Sequence, residues 1–365
     1  MIGKIICDLA PGADNDRNSE GAFIRLKNGD LMFAYSRYRG GGSADHCAAD
    51  IFAIISKDDG ESFGAPFKLL SCEEVGADNI MSVSFMRLKT GALGMFYVRK
   101  QNEKKLCIPH LAISNDEGKS WDRHIRCIEK DGYYVLNNDR VIALPSGRYL
   151  MPVARHVLGD GPMGAISGDI LIFASDDDGE SWYQISNDIK SPYDDIVRKE
   201  YTNDTYLYEP GLVLLDDGRI WCFIRTGFGR QYECFSYDNG KSWSKPMPSP
   251  FTTPHSPMSV KKLRDGRLFT VRNPIPYYQG RKLVVEGAWL TARDPLVFLI
   301  LEKDGKFIND DFTVIEDDKR GGYCYCAIYV TEKGDVFLGY CAGRVEDRAC
   351  LNRIRIRKIY RAELE

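Results

Sequence analysis

No stretch of about 18 consecutive apolar residues occurs in the sequence, so it encodes no transmembrane helix. Nor is there an excess of charge of either sign. Across 365 residues, 49 Lys and Arg face 52 Asp and Glu, for a formal net charge of −3. Non-specific nucleic-acid binding needs a basic excess or stripe, which is missing. Disorder needs low hydrophobicity with high net charge, and the 44% hydrophobic content argues against it. The opening Met1-Ile-Gly-Lys-Ile-Ile-Cys-Asp8 lacks an apolar core of signal-peptide length, so a cytoplasmic location is expected. Histidine is scarce, at five residues, and no His, Cys or Asp spacing supports a metal site. Neither a metal nor a cofactor is therefore expected. The eleven cysteines are odd in number and scattered, and Cys222, Cys324, Cys326 and Cys341 lie in apolar runs. They read as reduced, buried thiols. Amphipathic helical periodicity is almost absent, and residues 187–198, the main excursion, read as a loop.

Glycine and aromatic residues are abundant: 34 Gly, 20 Tyr and 17 Phe, a composition that leans towards β structure. Four segments share the pattern Ser-x-Asp-x-Gly-x-Ser-aromatic, at 56–63, 114–121, 175–182 and 236–243, spaced 58, 61 and 61 residues apart. A degenerate copy spans 301–307. The chemistry is that of a hairpin turn: Asp accepts hydrogen bonds from turn amides, and Gly supplies φ > 0. A second series interleaves with the first. Apolar strands flank a polar turn at Gly29, Gly91, Gly147, Gly218, Gly266 and Gly334, giving six copies. Length alone suggests two or three domains, but six repeats of about 61 residues suggest one. The predicted fold is all-β, a single six-bladed β-propeller over residues 1–365 with four-stranded antiparallel blades.

Counting along the strands locates a candidate site. Nine residues before the six turn glycines lie Glu20, Ser82, Asn138, Glu209, Pro257 and Tyr325. These open the innermost strands, on the face opposite the turns. Eight residues after the first three glycines come Arg37, Arg99 and Arg155; Arg225 follows Gly218 by seven and Arg272 follows Gly266 by six. Five strand-end arginines predict a ring of positive charge suited to a carboxylate or phosphate, or else an internal ring paired with Glu20 and Glu209.

These features resemble the sialidase (neuraminidase) superfamily, in particular bacterial proteins with BNR/Asp-box repeats, and the resemblance runs over essentially the whole chain. It implies an exo-glycosidase with a carbohydrate substrate and no nucleic-acid or membrane partner. The oligomeric state has no signature in the sequence. It also implies a three-arginine cluster for the sugar carboxylate, a Tyr nucleophile polarised by a Glu, and an Asp acid/base. Tyr325, in Tyr325-Cys-Ala-Ile328, is similar to the family's Tyr-Ser-x-Leu segment and takes the nucleophile role. Glu209, in Tyr208-Glu-Pro210, with Arg225 downstream, matches the segment of the Glu and second Arg. Arg293, in Arg293-Asp-Pro-Leu296, matches the third Arg. Asp45, 11 residues before the first box, falls where the acid/base loop lies. The family's first Arg belongs to an Arg-Ile-Pro segment; here Asn18-Ser-Glu-Gly-Ala22 places Glu20 near that position, and Arg17 is off register by two or three. Arg140 or one of Arg37 and Arg155 is then left to compensate, or the substrate is another acidic sugar. A lyase or a non-catalytic carbohydrate-binding propeller is the further alternative.

Overall fold

The computed structural model describes residues 2–101, 105–158, 165–192, 207–276 and 284–365. Each glycine of the six-copy series takes a left-handed backbone, with φ between +83° and +91°. Such a φ strains any L side chain, so each Gly fixes a reversal between two antiparallel strands. The Asp boxes use side chains instead. Ser56 Oγ donates to Asp58 Oδ1 (2.7 Å) and accepts from the Gly60 amide (2.8 Å), and Asp58 Oδ1 also accepts from the Ser62 amide (2.9 Å). Asp116, Asp177 and Asp238 repeat the pattern. The residue before each box glycine is itself at positive φ, and in the first three boxes it is an Asp or Glu whose carboxylate reaches a different repeat. Glu117 accepts from the Lys27 amide (2.9 Å), Asp178 from the Lys89 amide (2.7 Å), and Asp59 from Lys333 Nζ (2.8 Å). The boxes therefore staple neighbouring repeats together.

Strand β1 (Lys4–Leu9) precedes a sheet formed by β2 (Arg17–Arg25), β3 (Leu31–Tyr38), β4 (Ala49–Ser56) and β5 (Phe67–Leu70). Next come β6 (Asn79–Arg87), β7 (Leu93–Gln101), β8 (Leu106–Ser114), β9 (Arg123–Arg126), β10 (Tyr133–Val135), β11 (Ile142–Ala143), β12 (Tyr149–Leu158), β13 (Ala165–Ser175) and β14 (Tyr183–Gln184). A four-stranded sheet follows: β15 (Tyr208–Leu214), β16 (Ile220–Arg225), β17 (Arg230–Ser236) and β18 (Met247–Thr252). Another joins β19 (Ser259–Lys262) and β20 (Leu268–Arg272) to the later β23 and β24. Between them lies a hairpin of β21 (Val284–Val285) and β22 (Ala288–Trp289); β23 is Leu296–Leu301 and β24 is Thr313–Glu316. The last sheet orders β25 (Gly321–Val330), β26 (Val336–Arg344) and β27 (Ile354–Ile359), with β1 on its outer edge.

Four four-stranded antiparallel sheets thus match the predicted unit. The second and third expected units instead share one nine-stranded sheet. The three-residue β10 pairs antiparallel with β12 and meets β8 in parallel at Tyr133–Cys107. So short a strand before Gly147 carries no repeat signal, which is why counting turns missed the junction. The innermost strands pack side by side, β2 against β6 and β25 and β19 against β25 and β15, while β15 packs against β12. Apolar seams fill the space between sheets, as where Phe23, Phe33 and Ile54 meet Phe337 and Ile356. All eleven cysteines are free thiols and nine are buried. Among the described residues there is no α-helix, only two 3-10 turns at Val345–Asp347 and Arg361–Glu363. Residues 187–192 form a loop with one bridge, Ile170–Ile189, and 193–198 lie outside the described residues.

The box carboxyls give the fold an acid-sensitive term. Hydrogen bonds from Ser62 and Ser56 draw Asp58 down to about 2, and those from Ser120 and Ser114 draw Asp116 to about 2. A folded pKa below the unfolded value of about 3.9 adds stability above that value, which is lost as pH falls towards 2. Asp116→Asn should therefore melt below the unsubstituted protein at pH 5, and the gap should close by pH 2. An unchanged gap at both pH values would show that the carboxylate charge is not what matters.

Candidate active site

The innermost strands share a backbone device. Glu20 (φ +58°), Ser82 (+63°), Glu209 (+43°) and Tyr325 (+54°) are all left-handed, as is Asp139 (+58°), one residue past the counted Asn138. Strand register slips at four of these points, between Ser19 and Ala22, Met81 and Ser84, Tyr208 and Gly211, and Cys324 and Ala327. A bulge inserts a residue and re-aims its side chain. Left-handed geometry costs a non-glycine residue about 1–3 kcal/mol, and such strain concentrates at functional sites. In the fifth unit the counted position is Pro257, whose ring holds φ negative.

Three of the re-aimed or facing groups form a closed triangle. The Tyr325 hydroxyl donates to Glu209 Oε1 at 2.8 Å. Arg225 Nη1 donates to Glu209 Oε2 at 2.6 Å and to the Tyr325 oxygen at 3.1 Å. Arg293 is buried, with its guanidinium carbon 5.3 Å from the Tyr325 ring centroid, and its Nη1 donates to Cys324 Sγ at 2.9 Å. Arg225 Nε and Arg293 Nε are buried without a hydrogen-bond partner. Burial, followed by the Glu209 charge, pushes the Tyr325 phenol well above its ordinary pKa, while Arg225 and Arg293 pull the other way. Tyr323, two residues earlier, is fully buried in the apolar core.

A second cluster is centred on Arg17, which is 1% exposed. Its Nε donates to Ser19 Oγ (2.8 Å), Nη1 to Asp45 Oδ1 (2.6 Å) and the Ser43 carbonyl (3.1 Å), and Nη2 to Glu20 Oε1 (2.9 Å). Ser82 Oγ donates to the other Glu20 oxygen. The two carboxyls are driven apart. Burial raises Glu20 against the pull of Arg17, with Asp45 and Glu209 adding to the rise. The charges of Arg17 and Lys100 hold the Asp45 carboxyl well below the usual range. The Asp45 side chain is 55% exposed, so solvent and ligand can reach it.

The remaining predicted residues are spread more widely. Asn138 Nδ2 donates to the carbonyls of Gly21 (2.8 Å) and Tyr325 (3.3 Å), tying two bulges together. Arg140 is buried beneath them, with Nη2 on the Met258 carbonyl (2.8 Å) and its guanidinium 5.1 Å from the Phe223 ring centroid. Arg37 lies 4.6 Å from the Phe52 ring centroid, and Arg155 is paired with Asp169 and Asp188, both at 2.7 Å. The geometry therefore does not bring Arg37 and Arg155 to the site, and the expected arginine ring does not form. The reason is parity. Side chains alternate along a strand. Arg37, Arg99, Arg155 and Arg272 lie an even number of residues past their glycines, and Arg225 an odd number. On the odd side lie Tyr38, Lys100 and His156. Tyr38 stacks on Arg17 (4.5 Å), Lys100 Nζ donates to the Asp45 carbonyl (2.9 Å), and His156 packs edge-on to Tyr208 (5.4 Å). Among the described residues no group of three or more His, Cys, Asp or Glu is placed to hold a metal ion.

The model of the BNR repeat-like domain matches residues 29–338. The chain belongs to the BNR repeat-like domain family. No curated protein matches the sequence. Among solved structures, a protein of unknown function from Dyadobacter fermentans is similar at 17% identity and TM-score 0.70, over 98% of this chain and 99% of that one. The NanB sialidase of Streptococcus pneumoniae is similar at 14% identity and TM-score 0.70, over 100% of this chain and 71% of that one. The intramolecular trans-sialidase of Ruminococcus gnavus, solved with oseltamivir carboxylate, is similar at 14% identity and TM-score 0.64, over 95% of each chain. These likenesses establish an all-β fold shared by this BNR-family chain and the sialidases.

Arg17 makes the cluster sensitive to truncation. Arg17→Met leaves Glu20 and its neighbours without their buried cation, at an expected cost of about 3–5 kcal/mol. Adding Glu20→Gln should recover much of that loss, read by urea denaturation in a double-mutant cycle. Additive effects of the two substitutions would mean the pair is not coupled.

Proposed function

We propose that the protein is a glycoside hydrolase of the sialidase type, built as a six-bladed propeller, that removes a terminal acidic sugar from a glycan. In this reading the nine-stranded sheet is two blades bridged by β10. The observation that carries the function is the Tyr325–Glu209–Arg225 triangle. A sugar whose anomeric carbon bears a carboxylate repels an anionic nucleophile, whereas a phenol attacks without full initial charge. As the Tyr325 oxygen bonds to the anomeric carbon, its proton passes to Glu209 Oε1. The glycosidic bond breaks, and the leaving oxygen takes a proton from Asp45. Water then attacks the same carbon and returns a proton to Asp45, while the departing Tyr325 oxygen recovers its own from Glu209. Arg225 and Arg293, both beside Tyr325, supply guanidinium charge for a substrate carboxylate.

One observation favours a 2-keto sugar acid other than ordinary sialic acid. All three Arg17 nitrogens already serve protein acceptors. Glu20 stands beside them, leaving two arginines rather than three for the carboxylate.

Tyr325→Phe should abolish release of the aglycone from an aryl glycoside of sialic acid or another 2-keto sugar acid while leaving the melting temperature close to that of the parent. Failure of the folded parent to cleave any such glycoside would overturn the hydrolase reading. Because Asp45 is held low, its protonated form becomes scarcer with each pH unit above the carboxylate range. Turnover of glycosides with poor leaving groups should therefore fall as pH rises. Asp45→Asn should spare activated aryl glycosides far more than natural ones. Equal losses on both classes would remove Asp45 from the acid role.

A further inference from the structure

Away from the axial site, one face of β7, β8 and β9 carries a concentration of cationic and imidazole groups. Arg99, Gln101, His110, His124 and Arg126 line a groove of about 270 Å³. The strand register sets them around one another: His110 lies opposite both Tyr97 and Arg126, and Arg99 lies opposite Ile108. Each is held in place. Arg99 Nη2 donates to the Gly76 carbonyl (2.8 Å) and Arg126 Nε to the Ile128 carbonyl (2.8 Å). His110 Nδ1 lies 3.0 Å from the Ile108 carbonyl, and His124 Nδ1 lies 3.0 Å from the Tyr97 hydroxyl.

Two features point to an anion. Arg99 Nε is buried with no hydrogen-bond partner. The groove lining contains no carboxylate. Asp131 meets Arg126 Nη2 at 2.6 Å from the rim, with its side chain 70% exposed, and Glu74 and Asp122 act on His124 only through their charge. The cationic surroundings register on the imidazoles. Burial, then Arg99 and Arg126, hold His110 down at about 4, and burial followed by Arg99 lowers His124.

We propose that this groove is a second ligand site, separate from the Tyr325–Glu209–Arg225 cluster, for a small oxyanion. Arg99 and Arg126 clasp the phosphate or carboxylate group, and His110 and His124 form the floor. The site needs no catalytic activity and stands whether or not the hydrolase reading does.

The test is a titration of the intact protein with inorganic phosphate and, separately, with acetate, following the His110 and His124 ring resonances by NMR. Saturable shifts of both imidazoles are expected with at least one anion, and which one identifies the ligand group. Arg99→Gln should weaken that binding by about tenfold or more, the worth of a charge-assisted contact. Because Arg99 also holds the Gly76 loop, a second variant, Leu106→Glu, places a tethered carboxylate in the groove and should abolish the shifts without loss of fold. No saturable shift with either anion, or shifts that persist unchanged in folded Leu106→Glu, would overturn the proposal.

Discussion

The site rests on one backbone constraint, the left-handed bulge near the start of the inner strands. An extended strand would send Glu20, Glu209 and Tyr325 into the sheet seams or leave them at the rim. The bulge turns them inwards, but it removes peptide groups from the ladder, and these must find partners elsewhere. Neighbouring inner strands supply them. Asn138 takes the carbonyls of Gly21 and Tyr325, Asp139 Oδ2 takes the Ile328 amide (3.0 Å), and Ser259 Oγ takes the Cys326 carbonyl (2.7 Å). The close approach leaves no room after the first bulge: a Cβ on Gly21 would sit 2.4 Å from the Ala34 carbonyl oxygen. The bulges therefore hold one another, and the site is as rigid as the ring of inner strands.

Charge is divided within that frame with little slack. Glu209 is shared between a phenol and Arg225, while Glu20 and Asp45 compete for Arg17. The two carboxyls around Arg17 therefore differ in proton affinity, Glu20 raised and Asp45 lowered. A net charge of −3 conceals this local pairing entirely.

The turns were legible because their chemistry is local: Gly at positive φ, and Asp within reach of the serines and amides of its own octamer. The candidate site was legible at Glu20, Glu209 and Tyr325 because a fixed count from a turn glycine measures distance along a strand. The count failed where its assumption failed. A bulge adds one residue and flips the parity of everything before it. Arg17, three residues ahead of Glu20 and nominally on the opposite face, therefore ends up hydrogen-bonded to it. Arg37 and Arg155 were misread for the related reason that position along a strand was counted without its side. The fusion of two expected units through β10 arises from a three-residue pairing, too short for any pattern to announce.

The outer edge of the last sheet has a mechanical consequence. Strand β1 runs antiparallel to β27, with Lys4 opposite Lys358 and Leu9 opposite Ile354. The chain leading into Lys4 and the chain leaving Lys358 therefore depart from the same end of the ladder. Tension between them loads the inter-strand bonds one after another, as in opening a zipper, instead of all together in shear. The staples between repeats lie elsewhere, so a pull along the chain would meet this single, easily peeled seam first.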